Sequence, residues 1–203
     1  MKTFKQFLTE AKSLNEVSTK YKKGEFGYWW TVIIGEEDIE GQFYDGSVDC
    51  SYNKLTSLKG CPKKIDGNFD CEGNNLTSLE SAPKEIDGSF NCSNNDLTSL
   101  KGCPQKISSD FECYLNELTS LEGCPKEIGR DFDCHSNKLT SLKGAPKKVG
   151  GKFDCSDNNL TSLEGCPQKV GYYFACRGNK KKFTVDEVKS LCKVKDLIKA
   201  YKQ

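Results

Sequence analysis

The chain is short of the side chains that do most chemistry at neutral pH. Its 203 residues include one histidine, His135. No G-x-x-x-x-G-K-[ST], G-x-S-x-G or H-E-x-x-H segment occurs, so neither a phosphate loop, a nucleophile elbow nor a zinc helix is predicted. There is no C-x-x-C pair, and His135 directly follows Cys134 in a segment with strand alternation, which points the two side chains to opposite faces. No metal, cofactor or catalytic residue is expected. No apolar run approaches the ~20 residues that span a bilayer. With 30 Lys+Arg against 29 Asp+Glu, the net charge of +1 gives no bulk attraction to nucleic acid or membrane. Hydrophobic residues make up 35%, below the usual ~45–50%. The start, MKTFKQFLTEAK, lacks the apolar stretch of a signal peptide, which predicts reduced thiols.

What the chain does have is cysteine, 12 in all, and a strict period. Cys50, Cys71, Cys92, Cys113, Cys134, Cys155 and Cys176 recur every 21 residues without an insertion. The tetrapeptide LTSL occurs six times, and Phe69, Phe90, Phe111, Phe132, Phe153 and Phe174 keep the same step. So do a proline from Pro62 to Pro167 and an Ile or Val from Ile65 to Val170. A unit this short cannot bury such a set alone, so equivalent residues must stack on one another in a solenoid. Phe-x-Cys alternates as a strand should, with Phe69 and Cys71 inward and Asp70 outward. Gly60 and Pro62 argue against a helix on the return path, which predicts about seven short parallel strands and an irregular outer wall. Neighbouring thiols, ~4.8 Å apart on parallel side chains, are poorly placed for disulfides. Cys61, Cys103, Cys124 and Cys166 share a position with Ala82 and Ala145, which asks for small size.

Segments such as FDCEGNNLTSL and FNCSNNDLTSL resemble the leucine-rich-repeat motif L-x-x-L-x-L-x-x-N-x-L of the short bacterial and phage type. Asn53, Asn74, Asn95, Asn116, Asn137, Asn158 and Asn179 occupy the motif's asparagine. The resemblance implies that these side chains bond backbone groups of adjacent turns. Repeats are assigned to 47–179. Residues 25–46, with Tyr28, Trp29 and Trp30, suggest a β cap or alternatively an interaction patch. Residues 180–203 suggest a C-terminal cap of one or two helices, opened by a capping box of Thr184 and Glu187. From Arg177 onward the chain carries nine Lys/Arg and three Asp/Glu, a solvated helix face or a weak attraction to phosphate.

Residues 1–24 have the apolar spacing of an amphipathic helix. MKTFKQFLTEA also resembles the capsid-targeting leader of internal head proteins of T-even-type phages, which implies cleavage after Glu10. A plain N-terminal helix fits the same spacing.

Two outer positions alternate in charge: Lys59, Glu80, Lys101, Glu122, Lys143, Glu164, and Lys64, Glu85, Lys106, Glu127, Lys148, Lys169. Opposite charges then meet between successive units. The outward strand position reads instead Asp49, Asp70, Asn91, Glu112, Asp133, Asp154 and Ala175. Such a stripe tolerates like-charge repulsion, which fits a face for a basic partner; solvated carboxylates are the alternative. The neighbouring position varies most, through Glu72, Ser93, Tyr114, His135, Ser156 and Arg177, with Leu115 beside Tyr114. Tyr114, Leu115 and His135 are the expected anchors.

These features lead to the expectation of a monomeric, non-catalytic protein-binding module of a tailed phage. It would be packaged in the virion interior and act on a host protein in the host cytoplasm. A structural head or tail component of the virion is the alternative, and an enzyme using Cys134 and His135 is a third class.

Overall fold

Each 21-residue unit needs two places where the backbone can pair sideways, because its Phe-x-Cys and Ile/Val positions both lie between turn residues. In the computed structural model, which describes residues 43–44 and 46–200, both places are strands. One parallel sheet, the Phe sheet, is built from the segments Val48–Asp49, Phe69–Asp70, Phe90–Asn91, Phe111–Glu112, Phe132–Asp133, Phe153–Asp154, Tyr173–Ala175 and Leu197–Lys199. The other, the Ile sheet, contains Phe43–Tyr44, Lys64–Ile65, Glu85–Ile86, Lys106–Ile107, Glu127–Ile128, Lys148–Val149, Lys169–Val170 and Lys193–Val194. Both have eight strands in chain order. Phe69 pairs with Phe90 and Ile65 with Ile86, so every rung lies squarely on the next. The molecule is a parallel β-solenoid of about seven turns. Its outer wall is therefore a second sheet rather than irregular chain.

Stacked equivalents make the core. The Phe, Cys and paired Leu columns are buried throughout the repeats. The rings of Phe69, Phe90, Phe111 and Phe132 lie face to face at 5.6, 5.4 and 5.2 Å between successive centroids, an offset-stacking separation. Phe174 turns edge-on to Phe153, with centroids 4.9 Å apart. All twelve thiols are free. Several donate to a carbonyl of the next rung, Cys71 to Asn91 O at 3.3 Å and Cys134 to Asp154 O at 3.2 Å.

Where each strand ends, an asparagine satisfies the backbone. Asn116 Oδ1 accepts the Leu97 amide at 2.9 Å, and its Nδ2 donates to the carbonyls of Cys92 and Cys113. The same set recurs from Asn95 to Asn179. Just before each asparagine the chain enters the left-handed region, at Tyr52, Gly73, Asn94, Leu115, Ser136, Asp157 and Gly178. Glycine and asparagine are the natural occupants there.

The predicted charge alternation forms real contacts on the wall. Lys143 meets Glu122 at 2.8 Å, Lys64 meets Glu85 at 3.6 Å, and Lys148 meets Glu127 at 3.6 Å.

Among the described residues the Ile sheet is loosened at one joint. Elsewhere the amides of Lys84, Gln105, Lys147 and Gln168 bond the preceding rung, as do those of Asp87, Ser108, Gly150 and Gly171. At Lys126 and Gly129 the corresponding bonds to Gln105 O and Ile107 O are missing. The corner sequence changes at this joint, from Asp66-Gly67 and Asp87-Gly88 to Gly129-Arg130 and Gly150-Gly151. A Cβ at Gly129 would collide with the Ser108 carbonyl, so the second corner type needs glycine one place earlier.

At the C-terminal end one helix forms, α1 over Val185–Leu191. Its capping box is as expected: Thr184 Oγ1 accepts the Glu187 amide, and Glu187 accepts the Thr184 amide at 2.8 Å. The second helix allowed by the sequence is absent. Val194, Leu197 and Ile198 lie instead in the last strands of the two sheets, where they pair with the otherwise open sheet edges. The assignments made for residues 1–24, including Glu10, and for most of 25–46 lie outside the described residues.

Candidate binding face

The acidic stripe faces outward from the Phe sheet, and its spacing has a local cause. Asp70 Oδ1 accepts the amide of Glu72 at 2.9 Å, two residues on and just past the strand end. Asp49 does the same for Ser51, Asn91 for Ser93, Asp133 for His135 and Asp154 for Ser156. A short Asx side chain is what reaches that amide. Glu112 does not make this bond. Its carboxylate has no hydrogen-bond or ion-pair partner among the described residues, and the residue is half-buried.

Charge on this face is uncompensated. Glu80, Glu85, Glu122, Glu127 and Asp131 each meet a lysine. Among the described residues no lysine or arginine pairs with Asp49, Asp70, Glu112, Asp133 or Asp154, and Asp133 has His135 Nδ1 at 2.6 Å. Burial raises the pKa of Asp70, Glu112 and Asp133 from the ordinary value of each carboxyl. Nearby carboxylates push Asp70 and Glu112 further in the same direction.

The variable column lies alongside. Glu72 accepts the Tyr52 hydroxyl at 2.7 Å on one oxygen and Asn91 Nδ2 at 3.1 Å on the other. Tyr114 stacks on His135 with centroids 4.7 Å apart and planes 16° from parallel. Leu115 is 51% exposed at φ 52°. Among the proposed site residues, Asp49, Asp70, Glu72, Asn91, Glu112, Tyr114, Leu115, Asp133, His135 and Asp154 therefore share one face. Arg177 stands on the last 21-residue repeat beside the buried Ala175, where the acidic column ends and Lys199 of the final strand pairs next. Cys134 and His135 are separated by the strand: the thiol is buried and bonded inward, and burial holds its pKa far above the ordinary value.

No protein family, curated protein or solved structure matches this chain.

Sequence reasoning missed Tyr52, 63% exposed and bonded to Glu72 from the first rung of the adjoining column. Its left-handed position, shared with Gly73 and Asn94, was the available signal. It also missed a cavity of about 550 Å³ on the opposite sheet, lined by Lys106, Ser108, Lys126, Gly129 and Lys148 among others. That cavity is the loosened joint described above. Among the described residues no group of His, Cys, Asp and Glu is arranged to hold a metal ion, and no helix is long and apolar enough to cross a membrane.

Proposed function

We propose that the chain is a leucine-rich-repeat-type binding module without catalytic chemistry, whose Phe-sheet face docks a basic surface of a protein partner. The observation that carries this is the contrast between columns: Glu80, Glu85, Glu122, Glu127 and Asp131 on the wall each meet a lysine, whereas the carboxylates from Asp70 to Asp154 have no lysine or arginine counter-ion among the described residues. A partner that brings positive charge would relieve that repulsion on binding. The asparagine ladder supports the leucine-rich-repeat assignment, and residues 180–203 are read as the C-terminal cap. The leader-like N-terminus supports a phage protein carried in the head and delivered to the host cytoplasm, with cleavage after Glu10.

The test is a comparative capture from host lysate with the wild-type chain and with Asp70→Asn, Asp133→Asn, Asp154→Asn combined. Asn91 already makes the strand bond in this column, so the variant keeps its fold. A partner retained by the wild type and lost by the variant supports docking through this face; equal retention overturns it. Virion-derived protein beginning at Ala11 supports the head assignment, and an intact Met1 there overturns processing.

A further inference from the structure

The Ile sheet, opposite the acidic face, carries charge of the other sign, which the net charge of +1 conceals. The position before its alternating column reads Lys63, Lys84, Gln105, Lys126, Lys147 and Gln168, exposed in every rung and never acidic. The position two residues past that column begins with Asp66 and Asp87 and continues as Ser108, three glycines and Lys195. The alternating column itself ends in like charge, Lys148 beside Lys169 and Lys169 beside Lys193. From the loosened joint to the C-terminal end, these sheet positions present Lys126, Lys147, Lys148, Lys169, Lys193 and Lys195. The one carboxylate among them is Glu127, which Lys148 already meets. Among the described residues the other five lysines have no ion pair. Like charges on adjacent strands repel, and no bond within the described residues uses these ammonium groups.

Two further features lie on the same row. The cavity of about 550 Å³ at the joint is lined by Lys106, Lys126 and Lys148 together with Glu127, and its size falls within the ~300–1,000 Å³ of small-ligand pockets. Past it the wall is bare backbone at Gly129, Gly150 and Gly171, and the next residue is Tyr172, 52% exposed. Tyr172 stands edge-on to Tyr173 with centroids 6.0 Å apart. Lys152 and Lys199 lie over the Tyr173 ring at 5.8 and 4.8 Å, whereas among the described residues no cation or second ring covers Tyr172. Asp196, whose amide bonds the Tyr172 carbonyl at 3.0 Å, is the acidic residue next to it on the following rung.

We infer that the C-terminal half of the Ile sheet binds single-stranded nucleic acid, with phosphates along the lysine row, one nucleotide in the cavity and a base on Tyr172. A strand of phosphates is a polyanion that a row of lysines neutralises, and its unpaired bases stack on an exposed ring. A duplex hides its base faces and uses neither the ring nor the cavity. An anionic membrane is flat and leaves the cavity empty, and an acidic peptide supplies charge without a succession of planar bases. This surface lies on the sheet opposite the docking face proposed above, so either can fail without the other.

The experiment is fluorescence anisotropy of the full chain with a labelled thymidine oligonucleotide at low salt. Binding should saturate and weaken steeply as salt rises. Lys169→Gln combined with Lys193→Gln should weaken it roughly tenfold. Tyr172→Ala should weaken it roughly fivefold or more, the worth of one base–ring stack. Lys143→Gln, on a turn outside the row, should leave it unchanged. Unlabelled single strand should displace the probe at concentrations where a duplex of the same length, phosphatidylserine vesicles and polyglutamate do not. Circular dichroism checks that each variant is folded; the two lysines are exposed, so their variant carries the test should Tyr172→Ala unfold. Absence of binding at low salt overturns the proposal, as does binding that the lysine variant leaves intact. Binding that a folded Tyr172→Ala leaves intact, or from which the duplex, vesicles or polyglutamate displace the probe as well as the single strand does, also overturns the single-strand site.

Discussion

Asp70 holds the amide of Glu72 on Oδ1 at 2.9 Å, and one rung on Asn91 holds the amide of Ser93 at 3.0 Å in the same way. The fold therefore needs a short side chain with an acceptor oxygen at this place, and it does not need a charge. Asparagine would serve in every rung. The carboxylates from Asp49 to Asp154 keep a negative charge that local structure leaves unused.

Replacing Asp70 by Asn should stabilise the protein at neutral pH by roughly 0.2–1 kcal/mol, the size of one relieved like-charge contact. The pH dependence has a definite sign. Burial, and then neighbouring carboxylates, raise the Asp70 pKa in the folded state. The folded chain thus binds more protons than the unfolded one across the window between the two values, and the wild type loses stability as pH rises through it. The advantage of Asp70→Asn should be absent below the carboxylate range and fully present above the raised value. Urea unfolding of both proteins on either side of that window measures it.

The asparagine ladder predicts a much larger effect. Asn116→Ala leaves the Leu97 amide without its acceptor and takes a donor from the carbonyls of Cys92 and Cys113. The expected loss is about 2–4 kcal/mol, from several buried groups deprived of partners. Asn179→Ala, at the partly exposed end of the ladder, should cost less. Denaturant midpoints of the two variants give the comparison.

Thiol reactivity should follow depth in the core. The ladder cysteines from Cys71 to Cys155 are fully buried, and burial raises their pKa well above the ordinary thiol value. They should react with a disulfide reagent only as fast as the protein opens. Cys166 is half-exposed, with burial pushing its pKa up to about 11, and should be modified first. Mass spectrometry of partly labelled native protein orders the sites; early modification at Cys113 or Cys134 would refute the assignment.

Leu115 occupies a left-handed position that Asn94 and Ser136 fill in the neighbouring rungs and Gly73 one rung further on. Leu115→Asn should raise stability by about 1 kcal/mol, since leucine has no local hydrogen bond to offset the steric cost of positive φ. Thermal unfolding checks this directly. A gain in stability would mark Leu115 as a residue kept for contact rather than for folding.

Most of the architecture was legible because it is written once and copied. The columns of Phe, Cys, Leu and Asn fix the strand phase and inward side, and the copies require stacking. Features that depend on one rung rather than on the period were not legible. A two-residue strand such as Glu85–Ile86 leaves too short an alternation to read, so the wall seemed irregular. Val194 and Ile198 have helical spacing but pair with Val170 and Phe174, a sheet edge overriding local pattern. The face was read from its charges and variation. That Asp70 and Asp133 serve the backbone depends on side-chain geometry that composition does not encode.

The loosened joint makes a prediction about motion. The amides of Lys126 and Gly129 lack the rung-to-rung bonds that hold Lys147 and Gly150. They should exchange with deuterium sooner than those two, while the Phe sheet across the same joint, where Phe111 and Phe132 remain stacked, stays protected. Residue-resolved hydrogen exchange decides between this and uniform protection.

The wall's sign changes with each rung, Glu80 against Lys101 and Glu122 against Lys143, until Lys148 meets Lys169 at the far end. Excising one repeat from the middle would set glutamate beside glutamate or lysine beside lysine along the whole seam it creates. Excising two adjacent repeats would leave the order of signs unbroken. In charge order the repeating unit of the wall from Glu80 to Lys143 is thus a pair of rungs rather than a single one.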